Sequence, residues 1–264
     1  MSAGAIPVTG RGAGMLTLAA VAGLGIFLWP LAVPPTSSMP PALGPILFAA
    51  VLPLVLGVVL AELTSGGMDA KALALLGVLC AVGAVLRPLG TGTAGMEAVF
   101  FVLIVGGRVL GPGFGFAQGA ITLFASALLT GGVGPWLPYQ MLGAALVGLG
   151  AGLLPRTDGW RELVLLGGYG FVSAFAYGWL LDFAFWPFAL GNTSSIGFDP
   201  AAGALANLHR FVLFNLATSM GWNLGRALTN VALVVVAGPG VLLVLRRAAR
   251  RASFTQPRTR QRAA

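Results

Sequence analysis

EAVFFVLIVGGRVLGPGFGFAQGAITLFASALLT, residues 97–130, decides the kind of protein this chain forms. Two apolar blocks, residues 97–110 and 114–130, flank Gly111-Pro112-Gly113, and between Val99 and Thr130 only Arg108 is charged. Apolar residues run continuously and do not alternate, so the strand of an outer-membrane barrel is not the pattern. In lipid such blocks satisfy their own backbone hydrogen bonds as helices. The Gly-Pro-Gly turn predicts a tight cytoplasmic hairpin with Arg108 beside it. The run Gly111-Pro112-Gly113-Phe114-Gly115 is superficially like a phosphate loop. A dinucleotide fingerprint needs a preceding strand and a βαβ unit, and a Walker loop needs Gly-Lys-Ser/Thr; neither is here. If ATP is used, another chain supplies the ATPase.

The same texture extends outward over all 264 residues. Hydrophobic residues make up 57%, charged residues 8%, and mean hydropathy is +0.92. A soluble domain carries roughly 25% charged residues, so this chain cannot cover its surface with polar groups. Disorder is excluded by hydrophobicity, and a disulfide scaffold by the single cysteine, Cys80. The expectation is an all-α, polytopic helical membrane protein.

Apolar length predicts eight spans: residues 13–33, 43–63, 71–86, 97–110 (short), 114–130, 139–154, 162–181 and the overlong 211–245. The last should be tilted, kinked near Gly221 or Gly225, or preceded by an interfacial segment. The first is a retained helix, not a signal peptide, because it runs through Trp29 and Pro30 without a small-x-small cleavage site. With both termini cytoplasmic, the inner set of cations is Arg11, Lys71, Arg108, Arg156, Arg161 and the seven tail arginines from Arg246 to Arg262. That is 12 of the 15 Lys and Arg residues. The tail itself reads as a flank resting on anionic lipid, not a nucleic-acid site.

Loop chemistry divides the chain into residues 1–67 with two plain helices, residues 68–247 with six spans, and a basic cytoplasmic tail over residues 248–264. The linker at 34–41 is proline-rich and uncharged, and Ser65-Gly66-Gly67 begins the second connector. Small residues lie where helices can approach closely. Gly115 with Gly119, and Gly148 with Gly152, read mainly as packing within the chain. Ala70, Ala74, Gly77 and Ala81 share a helix face that would suit docking onto another membrane subunit.

Two clusters carry the candidate ligand chemistry. In Gly134-Pro135-Trp136-Leu137-Pro138-Tyr139-Gln140 an irregular outer turn presents Trp136 and Tyr139 at the interface, and Gln140 just inside the next helix, where an amide needs a partner. Trp222 precedes Asn223, Arg226 and Asn230, which share one face. A buried arginine either pairs with Glu97 or Asp182 to pin the bundle, or walls a ligand cavity. No metal site is expected, because His209 is the only histidine, and no catalytic constellation stands out. A membrane-enzyme or protease reading is therefore disfavoured, and a purely structural membrane adaptor remains a further alternative.

Over residues 68–250 the chain resembles the substrate-binding (S) components of energy-coupling factor transporters, the vitamin- and cofactor-uptake ABC transporters of prokaryotes. The resemblance rests on Gly107-Arg108-Val109-Leu110-Gly111-Pro112-Gly113-Phe114-Gly115, on Ser126 to Gly132, on the Gly134 to Met141 block, on Gly148 to Gly152, and on the last span with Arg226 and Asn230. It implies a six-helix S-component core, here with two extra N-terminal transmembrane helices, in the cell membrane. It implies a ligand pocket drawing on residues 87–96, Trp136, Tyr139, Gln140, Trp222, Asn223 and Arg226. It implies a transmembrane scaffold subunit docking on Ala70, Ala74, Gly77 and Ala81, and two ATPase subunits that use ATP. The Gly-Pro-Trp block looks like the cobalamin branch, with other vitamins open.

Overall fold

The computed structural model describes residues 10–32, 43–64, 68–90, 93–190 and 194–252, with Ile6 and Val8. The 34–41 linker, Ser65 to Gly67 and the tail arginines from Arg258 onward lie outside them. Among the described residues the regular structure is entirely helical: α1 (Gly10–Phe27), α2 (Trp29–Ala32), α3 (Leu43–Thr64), α4 (Ala70–Leu89), α5 (Val99–Leu110), α6 (Pro112–Thr130), α7 (Leu137–Leu153), α8 (Trp160–Ala189), α9 (Ala204–Thr218), α10 (Met220–Val236) and α11 (Gly238–Ala252).

Three of these, α4, α6 and α8, are long and apolar enough to cross a membrane, and a bent pair, α10 with α11, makes a fourth candidate. Shorter apolar helices occupy Gly12–Phe27, Ala49–Thr64, α5 and α7. The chain is thus a helical, membrane-embedded protein.

The core is built around α5. All twelve of its residues are buried, which is how a helix apolar on every side must sit. Twelve residues rise about 18 Å, and α4, α6, α7, α8, α10 and α11 pack around this short rod. Gly111 alone separates α5 from α6, at φ 112°, and Pro112 opens α6 at a position that needs no amide donor. The expected hairpin is therefore one residue long.

Glycine sets the spacing of the innermost layer. A Cβ on Gly107 or Gly115 would strike the Gly148 carbonyl, and one on Gly148 would strike the Gly115 carbonyl. Further along the antiparallel α6–α7 seam, Gly119 faces the Ala144 carbonyl and Gly152 faces Pro112. The two small-residue pairs read from the sequence thus pack against each other within the chain. The N-terminal helices share this core, with Gly23 against Leu142 and Phe27 edge-on to Tyr139 at 5.5 Å.

The C-terminal half differs from expectation. The 211–245 stretch divides at Ser219 and again at Ala237, and α10 and α11 are bent by 68°. The first division lies two residues from Gly221, one of the two expected kink positions; the second, just before Gly238-Pro239-Gly240, was not expected and arises because proline cannot continue the ladder of the preceding turn. Gly225 stays helical. α11 runs to Ala252, across the boundary placed at residue 248, as an amphipathic helix with Leu242, Leu245 and Ala249 buried and Arg247, Arg250 and Arg251 exposed. Helix α8 has 30 residues and continues eight beyond the predicted end at 181. Its last turns join an aromatic cap in which Phe183, Trp186, Phe198, Phe211 and Phe214 are buried together. Trp186 donates its indole N–H to the Ile196 carbonyl at 2.8 Å.

Candidate functional site

The candidate residues fall in a polar layer at one end of the bundle. Its centre is Arg226 on α10. The guanidinium donates to Glu97 through Nε (3.2 Å) and Nη2 (3.4 Å), and Nη1 donates to Asn223 Oδ1 (3.2 Å) and the Ala174 carbonyl (3.4 Å). The rings of Phe100 and Tyr177 lie 5.3 and 5.1 Å from its carbon, close enough for cation–π attraction in a desolvated setting. Of the two carboxylates named as possible partners, the structure selects Glu97. Asp182 is held instead by Asn215, whose Nδ2 donates at 2.6 Å, and by Ser219.

Backbone geometry explains the selection. The 93–98 loop turns on itself, with Met96 N–H donating to Thr93 O and Glu97 N–H to Gly95 O. It then crosses α10 at two glycines. A Cβ on Gly95 would meet the Trp222 carbonyl, and one on Gly225 would meet the Ala94 carbonyl. Gly225 immediately precedes Arg226, so this close crossing delivers Glu97 to the guanidinium.

A second part of the layer lies on α4, α6 and α7. Arg87 donates to Gln140 Oε1 at 2.9 Å and to Ser126 Oγ at 3.5 Å. Tyr139, beside Gln140, is fully buried between Phe27 and Phe185. Tyr177 joins the two parts, with Arg87, Glu97 and Arg226 all within electrostatic reach of its hydroxyl.

The structure therefore brings Gln140, Asn223 and Arg226 into one layer and gives each polar partners within the chain. Trp136 and Trp222 stand apart, both about half exposed. Trp136 donates its indole N–H to the Gly132 carbonyl of its own turn at 3.3 Å. Neither of two surface cavities among the described residues, one along α9 and one between α8 and α11, is lined by any of these six side chains.

Buried polar atoms inside the layer remain open to partners. Among the described residues, Asn223 Nδ2 and, beside Asp182, Asn215 Oδ1 have no hydrogen-bond partner. Each such group carries a desolvation cost of about 1–3 kcal/mol, and each is a point where a ligand group or a water would gain. Asn230, on the same face of α10, turns away and donates to the Gly170 carbonyl at 3.0 Å.

Ala70, Ala74, Gly77 and Ala81 are all exposed along α4, and a Cβ on Gly77 would meet nothing within 4 Å. The opposite face of α4, with Leu76, Leu79, Cys80 and Gly83, packs into the bundle. Asp69 caps the helix by accepting from Ala72 N–H at 2.8 Å.

Sequence reasoning missed Tyr177, which carries no signal of its own within an aromatic-rich helix. It also missed the buried column Gln118, Thr122 and Ser126 on α6, although their spacing of four marks one face. The opposite end of the bundle holds a second ionic cluster. Glu162 accepts from Arg108 Nε at 2.7 Å and from Arg246 Nη2 at 2.6 and 2.8 Å. Among known proteins, no family model, no curated sequence and no solved structure matches the chain.

Proposed function

We propose that the chain is the substrate-binding component of an energy-coupling factor type transporter, binding a vitamin or cofactor precursor at its outer face for ATP-driven uptake. A corrinoid is the first choice of ligand. In this reading the polar layer of Arg226, Asn223, Gln140, Arg87 and Glu97 is the outer ligand end, and the chain crosses the cell membrane eight times with both termini cytoplasmic. Six of the spans form the S-component core and α1 and α3 are additions to it.

The observation that carries the reading is the pairing of two features. A buried layer of amides, cations and rings sits at one end of the bundle, and an uncovered face of small residues runs along α4. The first suits a ring-bearing ligand with amide or carboxylate groups. The second suits a scaffold subunit, whose ATPase partners would supply the energy. In this reading ligand entry exchanges the bonds Gln140–Arg87 and Asn223–Arg226 for bonds to the ligand.

Mass spectrometry and visible absorption of small molecules co-purifying with the detergent-solubilised protein test this directly. A stoichiometric corrinoid or other vitamin supports the proposal. A protein that stays empty after incubation with a vitamin panel, and recovers no scaffold or ATPase subunits on affinity purification, overturns it.

One observation favours a second reading, a structural membrane adaptor. The candidate side chains are bonded to one another and line neither of the two surface cavities described. An adaptor predicts that Gln140→Ala and Asn223→Ala leave every binding and transport readout unchanged.

A further inference from the structure

Beyond the polar layer, the end of the bundle that holds Arg108 carries a cavity of about 490 Å³ between the first turn of α8 and the face of α11. Its lining combines apolar side chains, Leu163, Pro239, Leu242 and Leu243, with Arg246, Arg247 and Arg250. We propose that this cavity binds the headgroup of an anionic phospholipid. The inference rests on the membrane-embedded character of the chain and not on the transporter reading.

Charge is the first argument. Glu162 also lines the cavity, but it is already bonded by both Arg108 and Arg246. Among the lining residues three arginines, Arg246, Arg247 and Arg250, stand against one carboxylate, a composition suited to a phosphate ester. Guanidinium forks match phosphate oxygens in geometry as well as charge.

Position is the second argument. The 68° bend turns α11 away from α10. The helix buries Leu242, Leu245 and Ala249 on the bundle while exposing Leu243 and Val244 beside the arginines. An amphipathic helix with this distribution lies in the interfacial plane, with its apolar exposed residues toward acyl chains. Trp160, strongly exposed next to the cavity's Gly159, is a residue type that settles at headgroup depth. A cavity lined by both arginines and apolar side chains at that depth fits a lipid, whose phosphate and acyl chain engage the two kinds of residue. A free phosphate would use only the first.

The test is native mass spectrometry of the full chain in mild detergent, titrated with phosphatidylglycerol or phosphatidylcholine. The expected result is preferential retention of phosphatidylglycerol, reduced about thirtyfold in Arg247→Ala/Arg250→Ala if each surface arginine contributes its usual share. Phosphatidylcholine binding and the melting temperature should not change. Equal binding of the two lipids, or a double variant that keeps the preference, overturns the proposal. Displacement of phosphatidylglycerol by millimolar inorganic phosphate also overturns it, since the site then recognises a free anion. If the variant does not accumulate, a photoreactive phosphatidylglycerol in vesicles with the unmodified protein decides. Crosslinks on α11 from Leu243 to Arg250 support the site, and crosslinks confined to other helices refute it.

Discussion

Arg226 on α10 and Glu97 ahead of α5 stand 129 residues apart in sequence and meet through two contacts of 3.2 and 3.4 Å. The arginine side chain is about nine-tenths buried, and a quarter of the glutamate is exposed. Removing one member leaves the other as an unbalanced charge in a low-dielectric place, which typically costs 3–5 kcal/mol when both are fully buried. Glu97 is partly wet, so Glu97→Gln should cost about 2–3 kcal/mol. Arg226→Met should cost more, because it also strands Asn223 Oδ1. The double variant should cost less than the sum of the two. Unfolding in mixed detergent micelles measures all three, and strictly additive losses would show that the pair contributes no mutual energy.

Gly148 and Gly77 test two different uses of glycine. A methyl on Gly148 would be driven into the Gly115 carbonyl, with Gly107 pressing from α5. Gly148→Ala should therefore force α6 from α7 and cost about 2–3 kcal/mol, as overpacking does. Gly77 has open space around it, so Gly77→Leu should leave the unfolding midpoint unchanged or slightly raised. If α4 docks a scaffold subunit, the same leucine should sharply reduce recovery of that subunit from cells. A Gly77→Leu protein that is both stable and fully assembled would remove α4 from the interface.

These glycines also show where the sequence was legible. That α5 and α6 form an apolar hairpin followed from local composition, since Gly111-Pro112 can only be a turn. That Gly115 and Gly148 belong to packing followed from small-residue spacing, but their being each other's partner did not. Spacing describes one helix surface and says nothing about which neighbour it meets. The charge on Arg226 announced a partner, and the scarcity of carboxylates narrowed it to Glu97 or Asp182. The choice rested on the Gly95–Gly225 crossing, a contact between segments 130 positions apart. A break in the 211–245 stretch was readable: one falls at Ser219, beside Gly221, while a second, at Ala237, was not anticipated. The second break lies just before Gly238-Pro239-Gly240, which repeats the Gly-Pro-Gly that turns the chain at 111–113, whereas Gly225 stays within α10. The bond between Arg87 and Gln140 had no sequence signal, because it depends on a side chain of α4 reaching one of α7.

Ala94 is the one described non-glycine residue with positive φ, at 47°. A left-handed backbone costs an alanine roughly 1–2 kcal/mol, from its Cβ against the following carbonyl. The strain is tolerated because the Ala94 carbonyl must seat on Gly225 to carry the loop across α10. Ala94→Gly should stabilise the fold by up to about 1 kcal/mol after glycine's greater unfolded-state entropy is allowed for. Ala94→Val should destabilise it, since a branched Cβ fits this region worse. Opposite signs for the two in the same unfolding assay are the expected result. A destabilised Ala94→Gly would mean that the loop does not adopt this turn.

Arg108 is the strongest case against treating arginine and lysine as equivalent in this chain. Its guanidinium donates at once to Glu162 Oε1 (2.7 Å), to the Leu154 and Pro155 carbonyls (3.0 and 2.8 Å) and to the Thr157 carbonyl (3.2 Å). These acceptors surround one planar group, so the side chain ties the segment just after α7 to the first turn of α8. The segment directly follows the C-terminus of α7, where a cation is favoured. A lysine at 108 keeps the charge, yet one ammonium on a flexible stem cannot span acceptors set out for a fork. Arg108→Lys should cost about 2 kcal/mol or more, at roughly 1 kcal/mol for each lost bond to a neutral group. Arg108→Met should cost more, although Arg246 still covers Glu162. If both variants unfold at the same denaturant level as the parent, the 154–157 segment is held by something other than this fork.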